Sequence, residues 1–313
     1  GSQVVLGIGD LARFGATLFR ILVPLQLALA IFLAALGSAS SVAVEKDRRT
    51  LLLLLLTRLI DAELVVGKLL ASLLMPAVML LGAIPVFLLI SLFGGVSTMQ
   101  VVSVFLVAFG TIFLAGSLGS TLALWREKTF QTLSMTVLLL VLWIGIWEAV
   151  AVLFPAAEIG GISISTVVLT VSPVRATLAA VHPVLDASGT HVLPSALFFL
   201  GFSVIVGCCL NLLAILLQRR LIFHGNHLSV AMNEKNAEML YQHAIYAQEL
   251  ERSGMAVLPA FQNAFGVIGR QVSAEAQVLA FRDCFHVISI WFVLVFFALF
   301  LMPKPKLEGA TPP

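Results

Sequence analysis

The stretch Leu69–Leu124 decides the fold of this 313-residue chain, and it reads LLASLLMPAVMLLGAIPVFLLISLFGGVSTMQVVSVFLVAFGTIFLAGSLGSTLAL. None of its 56 residues is Asp, Glu, Lys or Arg. A helix that crosses a bilayer needs about 20 apolar residues, so the stretch is long enough for two crossings. Glycine and hydroxyl residues interrupt it at Gly94–Thr98, which predicts a turn between the two spans.

The composition of the whole chain indicates a helical membrane protein. Hydrophobic residues make up 60% and charged residues 11%, with a mean hydropathy of +1.08, whereas charged residues make up about 25% of soluble domains. Prolines at positions 24, 76 and 85 predict kinks in the first two spans. We predict an all-α polytopic membrane protein with five to six transmembrane helices and a helical soluble segment. The predicted apolar segments are Ile21–Val44, Leu69–Phe93, Val101–Leu124, Leu133–Phe154, Pro194–Leu217 and the shorter His286–Met302.

The positions of the charges predict the orientation of the chain. The net charge of +2 is too small for a general field that would bind nucleic acid. Cytoplasmic loops carry an excess of Lys and Arg, and here the basic residues gather after the first, third and fifth spans, whereas the turn Gly94–Gln100 has none. We therefore predict that these three regions are cytoplasmic. Their basic residues are Lys46, Arg48, Arg49, Arg58, Lys68, Arg126, Lys128, Arg219 and Arg220.

The segment Asp10–Leu22, ahead of the first span, has two possible interpretations. Arg13 and Arg20 share one helical face with Thr17, and the opposite face is apolar, as in a helix that lies in the membrane interface. Its apolar face consists of Leu11, Phe14, Leu18 and Leu22. The alternative is that the segment is the frayed end of a truncated span.

The loop between the first two spans has a pattern suited to docking a partner protein. Residues 45–50 form a mixed-charge cluster, and the leucine run Leu51–Leu56, too short to span a membrane, follows it. The charges can pair with a partner while the leucines anchor the element to the bundle, so that movement of the partner reaches the spans. On composition alone, an ordinary cytoplasmic loop with a leucine-rich interfacial helix is the preferred explanation.

The residue order in this loop resembles that of type-2 ABC exporter permeases. The charged cluster, the leucine run and the pair Gly67–Lys68 before the next span follow the family's order, and the resemblance extends over about residues 6–217. Span order, the short polar loop 125–129 and a long outer segment with Ser172–Pro173 support it. Arg58 stands where the family usually has Pro, and Leu52 where an acidic residue is common. The family also has a span before this point, so the resemblance implies an N-terminally incomplete chain.

The resemblance implies the membrane subunit of an ATP-driven exporter in the cell (inner) membrane. Its expected partners are the lipid bilayer, a second permease subunit, and a separate nucleotide-binding subunit that holds the ATP. The residues implied in coupling are Glu45, Lys46, Asp47, Arg48, Arg49, Thr50, Leu51, Leu54, Leu55, Asp61, Glu63, Gly67 and Lys68. We expect no enzyme activity and no cofactor in this chain itself. A phosphate-binding loop needs Gly at position 62 and Ser or Thr at 69, where Ala62 and Leu69 stand.

The last third of the chain resembles a different family. Arg220–His224, Gln277–Phe285 and the end Pro303–Lys306 are similar to the C-terminal end of major facilitator superfamily drug:proton antiporters. This resemblance would place residues after Arg220 outside, whereas the first places them in the cytoplasm. A fusion, a misassembled reading frame and an artificially joined sequence remain open. A proton-coupled antiporter fragment, or a membrane anchor without transport activity, is therefore the alternative function.

The predicted organisation is a permease-like domain at residues 1–217, a soluble helical segment at 218–285, and a final apolar segment and tail at 286–313. Within the soluble segment, a helix over about Asn233–Arg252 is predicted to stop at Gly254, and the next helix is predicted to have Pro259 in its first turn. The final segment is short, and Lys304 and Lys306 follow it. We predict that it inserts poorly or lies flat on the cytoplasmic face.

Single polar residues suggest few sites. Glu148 is the only carboxylate within a predicted span, which makes it a possible intramembrane polar site. Because it lies beside Trp143 and Trp147, we favour an interfacial aromatic belt. The small residues Gly110, Gly116, Gly119 and Ser120 predict close helix packing. The three cysteines and six histidines lack metal-site spacing, apart from the weak pair His224 and His227, so no metal is expected.

Overall fold

The computed structural model describes residues 8–47, 61–125, 129–154, 158–159, 162–182, 192–231 and 237–301. Nearly all of them are helical, which confirms the all-α prediction. The helices are α1 (Ile8–Asp47), α2 (Asp61–Leu92), α3 (Thr98–Trp125), α4 (Thr129–Leu153), α5 (Ile164–Val171), α6 (Pro173–Val181), α7 (Val192–Ala231), α8 (Ala237–Arg252) and α9 (Val257–Leu301). Two short strands, β1 (Glu158–Ile159) and β2 (Ile162–Ser163), form an antiparallel pair.

Five of these helices, α1, α2, α3, α4 and α7, are long and apolar enough to cross a membrane. They correspond to the first five predicted spans, and the chain is a membrane protein. A sixth crossing is possible if α5 and α6 count as one broken span, because they meet at an angle of 101°. The predicted final segment His286–Met302 begins inside α9 and ends outside the described residues, so its insertion stays a prediction.

The prolines of the first two spans lie inside unbroken helices. Pro24 lies within α1, and Pro76 and Pro85 lie within α2. A proline removes one intrahelical hydrogen bond, which neighbouring helices and hydroxyl side chains can compensate in a membrane bundle. The hydroxyl of Ser72, one turn before Pro76, donates a 2.8 Å hydrogen bond to the carbonyl of Leu69.

The segment Asp10–Leu22, for which the sequence left an interfacial helix and the end of a span as alternatives, is continuous with the first candidate span. This segment is the first part of α1, and its inward face consists of small residues together with Phe19 and Val23, both of which are buried. Leu11 and Phe14, which the sequence places on the apolar face of this segment, are exposed. Lipid is as apolar as these side chains, so the burial of large residues does not decide which face packs against other helices.

Helices α1 and α2 run antiparallel, with contacts from Phe14 to Gly37 of α1. The rings of Phe14 and Phe93 lie 6.3 Å apart at one end. Further along, a Cβ at Gly37 would lie 3.0 Å from the carbonyl oxygen of Ser72. Extending both helices from that contact brings the end of α1 and the start of α2 to the same end of the bundle, about ten residues beyond Gly37.

Helix α3 forms the centre of the bundle, and its glycines make the close contacts that the sequence predicted. A Cβ at Gly110 would lie 3.3 Å from the side chains of Phe199 and Ser203 in α7. A Cβ at Gly116 would collide with Leu73 of α2, and one at Gly119 would collide with Ser38 of α1. The prediction of close helix packing around these glycines is therefore confirmed.

The chain divides into two compact units, Gly1–Ala214 and Ile215–Pro313. In the second unit, α8 ends at Arg252 and the turn that follows places Gly254 at a φ of +95°, where glycine is favoured. Backbone hydrogen bonds from Gly254 to Glu251 (3.0 Å) and from Met255 to Leu250 (3.2 Å) close the helix. The predicted stop at Gly254 is confirmed. Helix α9 passes through the predicted boundary at residues 285–286 without a break.

Candidate functional site

The helix ends on either side of the predicted coupling loop lie at one end of the bundle. Glu45, Lys46 and Asp47 form the last residues of α1, and α2 begins at Asp61. Because α1 and α2 are antiparallel, these two ends are neighbours. The end of α3 lies there too, since Gly119 of α3 contacts Ser38 of α1 and the two helices run in the same direction.

The structure places some of the predicted coupling residues and leaves others outside the described part of the chain. Glu63 and Gly67 are exposed in the first turns of α2, and Lys68 is half-buried beside them. A side chain at Gly67 would meet no atom within 4 Å. The coupling residues outside the described residues are Arg48, Arg49, Thr50, Leu51, Leu54 and Leu55.

Glu148 lies in an ion pair that the sequence interpretation missed. Nε of Arg175, in α6, donates a hydrogen bond of 2.8 Å to Oε2 of Glu148, in α4. The hydroxyl of Ser172 donates to the other carboxylate oxygen over 3.3 Å. Trp143, one of the two tryptophans that suggested an aromatic belt, is partly buried and packs against core residues. Glu148 therefore joins α4 to the bent pair α5–α6.

The bend between α5 and α6 positions the arginine. Ser172 has an extended backbone and lies between the two helices, and its side-chain oxygen accepts a 3.3 Å hydrogen bond from the backbone N–H of Arg175. Pro173 follows at the first position of α6, where its missing N–H costs no hydrogen bond. The same hydroxyl thus caps α6 and donates to Glu148.

This ion pair is only partly shielded from its surroundings. The side chain of Arg175 is 35% exposed and that of Glu148 is 31% exposed. Arg175 is the only Lys or Arg in residues 155–193, and Glu148 is the only carboxylate in a predicted span. The presence of one isolated basic residue and one isolated acidic residue was the sequence signal from which this contact could have been predicted.

Two of the cavities in the described part of the first unit are lined by charged or titratable side chains. One, of about 290 Å³, adjoins the ion pair and is lined by Ala151, Ile164, Ser165, Val168, Leu169 and Arg175. The other, of about 270 Å³, lies at the turn between α2 and α3, with Arg20 and His182 among its lining residues. Gln100 also lines this second cavity, and its Nε2 donates a 3.2 Å hydrogen bond to the carbonyl of Ala180.

A buried polar contact joins α3 and α7. Nδ2 of Asn211 donates to the hydroxyl of Ser117 over 2.9 Å and to the carbonyl of Gly207 over 2.7 Å. The hydroxyl of Thr121 donates to the carbonyl of Leu210 over 3.2 Å. Such hydrogen bonds between transmembrane helices stabilise packing by about 0.6 kcal/mol on average. The contact provides no titratable group, so we assign it to helix packing.

The second unit contains a charged cluster on α7 and α9. Nε2 of His224 lies 3.0 Å from Oδ2 of Asp283, and Nη1 of Arg220 lies 3.5 Å from the same oxygen. The hydrogen bond from His224 holds the pKa of Asp283 below its usual value, with further help from the nearby positive charges and against the opposing effect of burial. The described residues contain no group of three metal ligands, and His227 contacts the ring of Phe223 instead.

Comparison with protein-family models, with curated proteins and with solved structures gives no match to this chain.

Proposed function

We propose that this chain is the membrane-spanning permease subunit of an ATP-driven exporter in the cell (inner) membrane. A separate nucleotide-binding subunit would hold the ATP and dock on the 45–68 region, and a second permease subunit would complete the translocation path. The five candidate spans supply the multi-pass bundle that a permease subunit requires.

The observation that carries the proposal is the position of the coupling region between α1 and α2. Its two flanks are the adjacent ends of two long helices, so a partner that moves the loop acts on both helices together. Helix α1 packs against α2, α3, α4 and α6. A rigid shift at Asp47 would therefore be transmitted to most of the first unit, as in other interface-driven rearrangements.

The bent pair supports the same proposal from the opposite end of the bundle. The resemblance to type-2 permeases includes a long outer segment with Ser172–Pro173 before the last span, and the bend falls at these residues. Gln100, at the start of α3, holds the end of α6 through the carbonyl of Ala180. The predicted outer segment therefore contacts the end of α3 that lies away from the coupling region.

The test reverses two charges in the coupling region. The full-length chain purified from its native membrane with an affinity tag should carry ATP hydrolysis activity from its partner. In the double variant Glu45→Lys, Asp47→Lys, the co-purified ATP hydrolysis activity should fall at least about tenfold, because like charges across a docking surface cost several kcal/mol. Membrane insertion should be unchanged.

Glu249 and Glu251 provide a matched control, because they have the same spacing and are exposed on α8. The double variant Glu249→Lys, Glu251→Lys should retain the activity. The proposal fails if no ATPase activity co-purifies with the unaltered chain. It also fails if the variant at positions 45 and 47 retains the full activity of the unaltered chain.

A further inference from the structure

The cavity at the turn between α2 and α3 joins polar side chains to an apolar wall. Arg20, Gln100 and His182 supply the polar groups. The wall consists of Ala16, Phe19, Gly95, Val96 and Val181. The cavity holds about 270 Å³, just below the usual range of about 300–1,000 Å³ for small-molecule pockets, so its ligand must be small.

Arg20 has no acidic partner among the residues that the structure describes. The nearest carboxylate along α1 is Asp10, ten positions away and therefore about 15 Å along the helix axis. Arg20 also lies within the candidate span Gly9–Ser40. An ionisable side chain is rare in a span, where it normally pairs with an opposite charge or faces a water-filled cavity. The guanidinium therefore keeps its charge and its five N–H donors for a group in the cavity.

Gln100 and His182 add hydrogen-bond donors, and the fold holds both residues in place. Oε1 of Gln100 accepts a 2.8 Å hydrogen bond from the backbone N–H of Ser97, and Nε2 donates to the carbonyl of Ala180. Nε2 carries a second N–H. The backbone N–H of His182 bonds to the carbonyl of Leu178 and so caps the end of α6. An imidazole has at least one N–H donor whether it is neutral or protonated.

The charge of the cavity favours a ligand with a single negative charge. Arg20 contributes one permanent positive charge, and none of the described residues that line the cavity carries a carboxylate. A guanidinium binds a carboxylate through two parallel hydrogen bonds. A doubly charged phosphate would bring one more charge than Arg20 balances. Because Phe19 and Val181 are almost fully buried, the wall favours an apolar body behind the charged group.

The cavity lies at the end of the bundle away from the coupling region, because the turn between α2 and α3 and the residue after α6 line it. From these observations we infer that the cavity binds a small organic carboxylate. Arg20 binds the carboxylate, Gln100 and His182 donate further hydrogen bonds, and the apolar body packs against Phe19 and Val181. The inference does not depend on the proposed export function, because binding can be measured without transport.

The test measures binding of benzoate, a carboxylate with one charge and a compact apolar ring. The full-length chain is placed in phosphatidylcholine nanodiscs, and binding is followed by saturation-transfer NMR with empty nanodiscs as the blank. We expect a Kd of about 1 mM or below. Benzamide has the ring without the charge, and inorganic phosphate has charge without the ring. Each should bind at least about tenfold more weakly than benzoate.

Substitutions separate the arginine from the rest of the cavity. Arg20→Gln should raise the Kd for benzoate at least about tenfold, because it removes charge-assisted hydrogen bonds. Arg20→Lys keeps the charge without the planar fork and should give a smaller increase. Arg13→Gln is the matched control, since Arg13 is exposed two turns earlier on α1 and does not line the cavity. Ala16→Leu fills the cavity without removing a polar group and should weaken binding even if the Arg20 variants fold poorly.

Four results would overturn the inference. They are an absence of benzoate binding by the unaltered chain, equal binding of benzamide, a Kd that Arg20→Gln leaves unchanged, and full binding in Ala16→Leu.

Two further outcomes identify a different source of the anion. Phosphatidylglycerol added to the nanodiscs should not displace benzoate. If it displaces benzoate completely, the site holds a lipid phosphate and the inference is wrong. Asp186 lies outside the described residues. If benzoate binds only after Asp186→Asn, an acidic side chain of the protein itself occupies the site, which also contradicts the inference.

Discussion

Helices α3 and α4 are both apolar spans, yet they are held in the bundle in different ways. In the most apolar part of α3, 67% of the residues are buried, whereas the figure for α4 is 11%. Small residues bring α3 against its neighbours, and a Cβ at Gly110 or Gly119 would meet atoms of α7 or α1. A Cβ at Gly145 of α4 would meet nothing within 4 Å.

The difference shows that hydropathy alone does not distinguish a central span from a peripheral one. Helix α4 is as apolar as α3, with a hydropathy of 2.3 for both. What distinguishes α3 is its larger number of small and hydroxyl residues. In a membrane the hydrophobic effect does not drive helices together, and small residues stabilise packing because they allow the helices to approach closely. Helix α4 compensates with a specific contact, the ion pair of Glu148.

The largest effect is expected from enlarging a glycine in α3. Gly119→Val should lower the free energy of unfolding by about 1–3 kcal/mol, because its side chain would collide with Ser38 and with the backbone N of Ala39, 3.3 Å from the Cβ. Thermal unfolding of the purified chain in detergent measures the change. Gly145→Val in α4 is the control and should change stability by no more than about 0.5 kcal/mol. Equal losses in the two variants would show that α3 and α4 are packed alike.

A smaller effect is expected from the ion pair of α4. A double-mutant cycle with Glu148→Gln and Arg175→Gln should give a coupling free energy of up to about 1 kcal/mol, because both side chains are about one-third exposed and the pair is partly screened. Unfolding of the two single variants and the double variant measures it. A coupling energy of zero would mean that the pair does not hold α4 to the bent helices.

The five spans could be predicted from the sequence because an uncharged apolar run of about 20 residues rarely forms anything other than a membrane-spanning helix. The sequence also predicted the close packing of Gly116 and Gly119, since small residues on an apolar helix permit close contact. The stop of α8 at Gly254 was predicted for a similar reason, because glycine readily adopts the positive φ that ends many helices.

Other features depended on contacts between residues distant in sequence. The partner of Glu148 lies 27 positions away, beyond a bend that needs Ser172 as a cap, and helical periodicity contains no information about such a contact. The inward face of α1 could not be identified from the sequence for a related reason. In lipid, large apolar side chains such as Phe14 can face outward, so the pattern of large residues does not identify the packed face.

The central claim is that the coupling region is cytoplasmic and that the turn between α2 and α3 lies outside. Cysteines introduced by Thr57→Cys and Thr98→Cys, in a background with Cys208, Cys209 and Cys284 replaced by serine, test it through labelling of intact cells by an impermeant thiol reagent. Thr98 is exposed at the start of α3. The account predicts that position 98 is labelled in intact cells and position 57 only after the membrane is opened. Labelling of position 57 in intact cells, with protection of position 98, would contradict it.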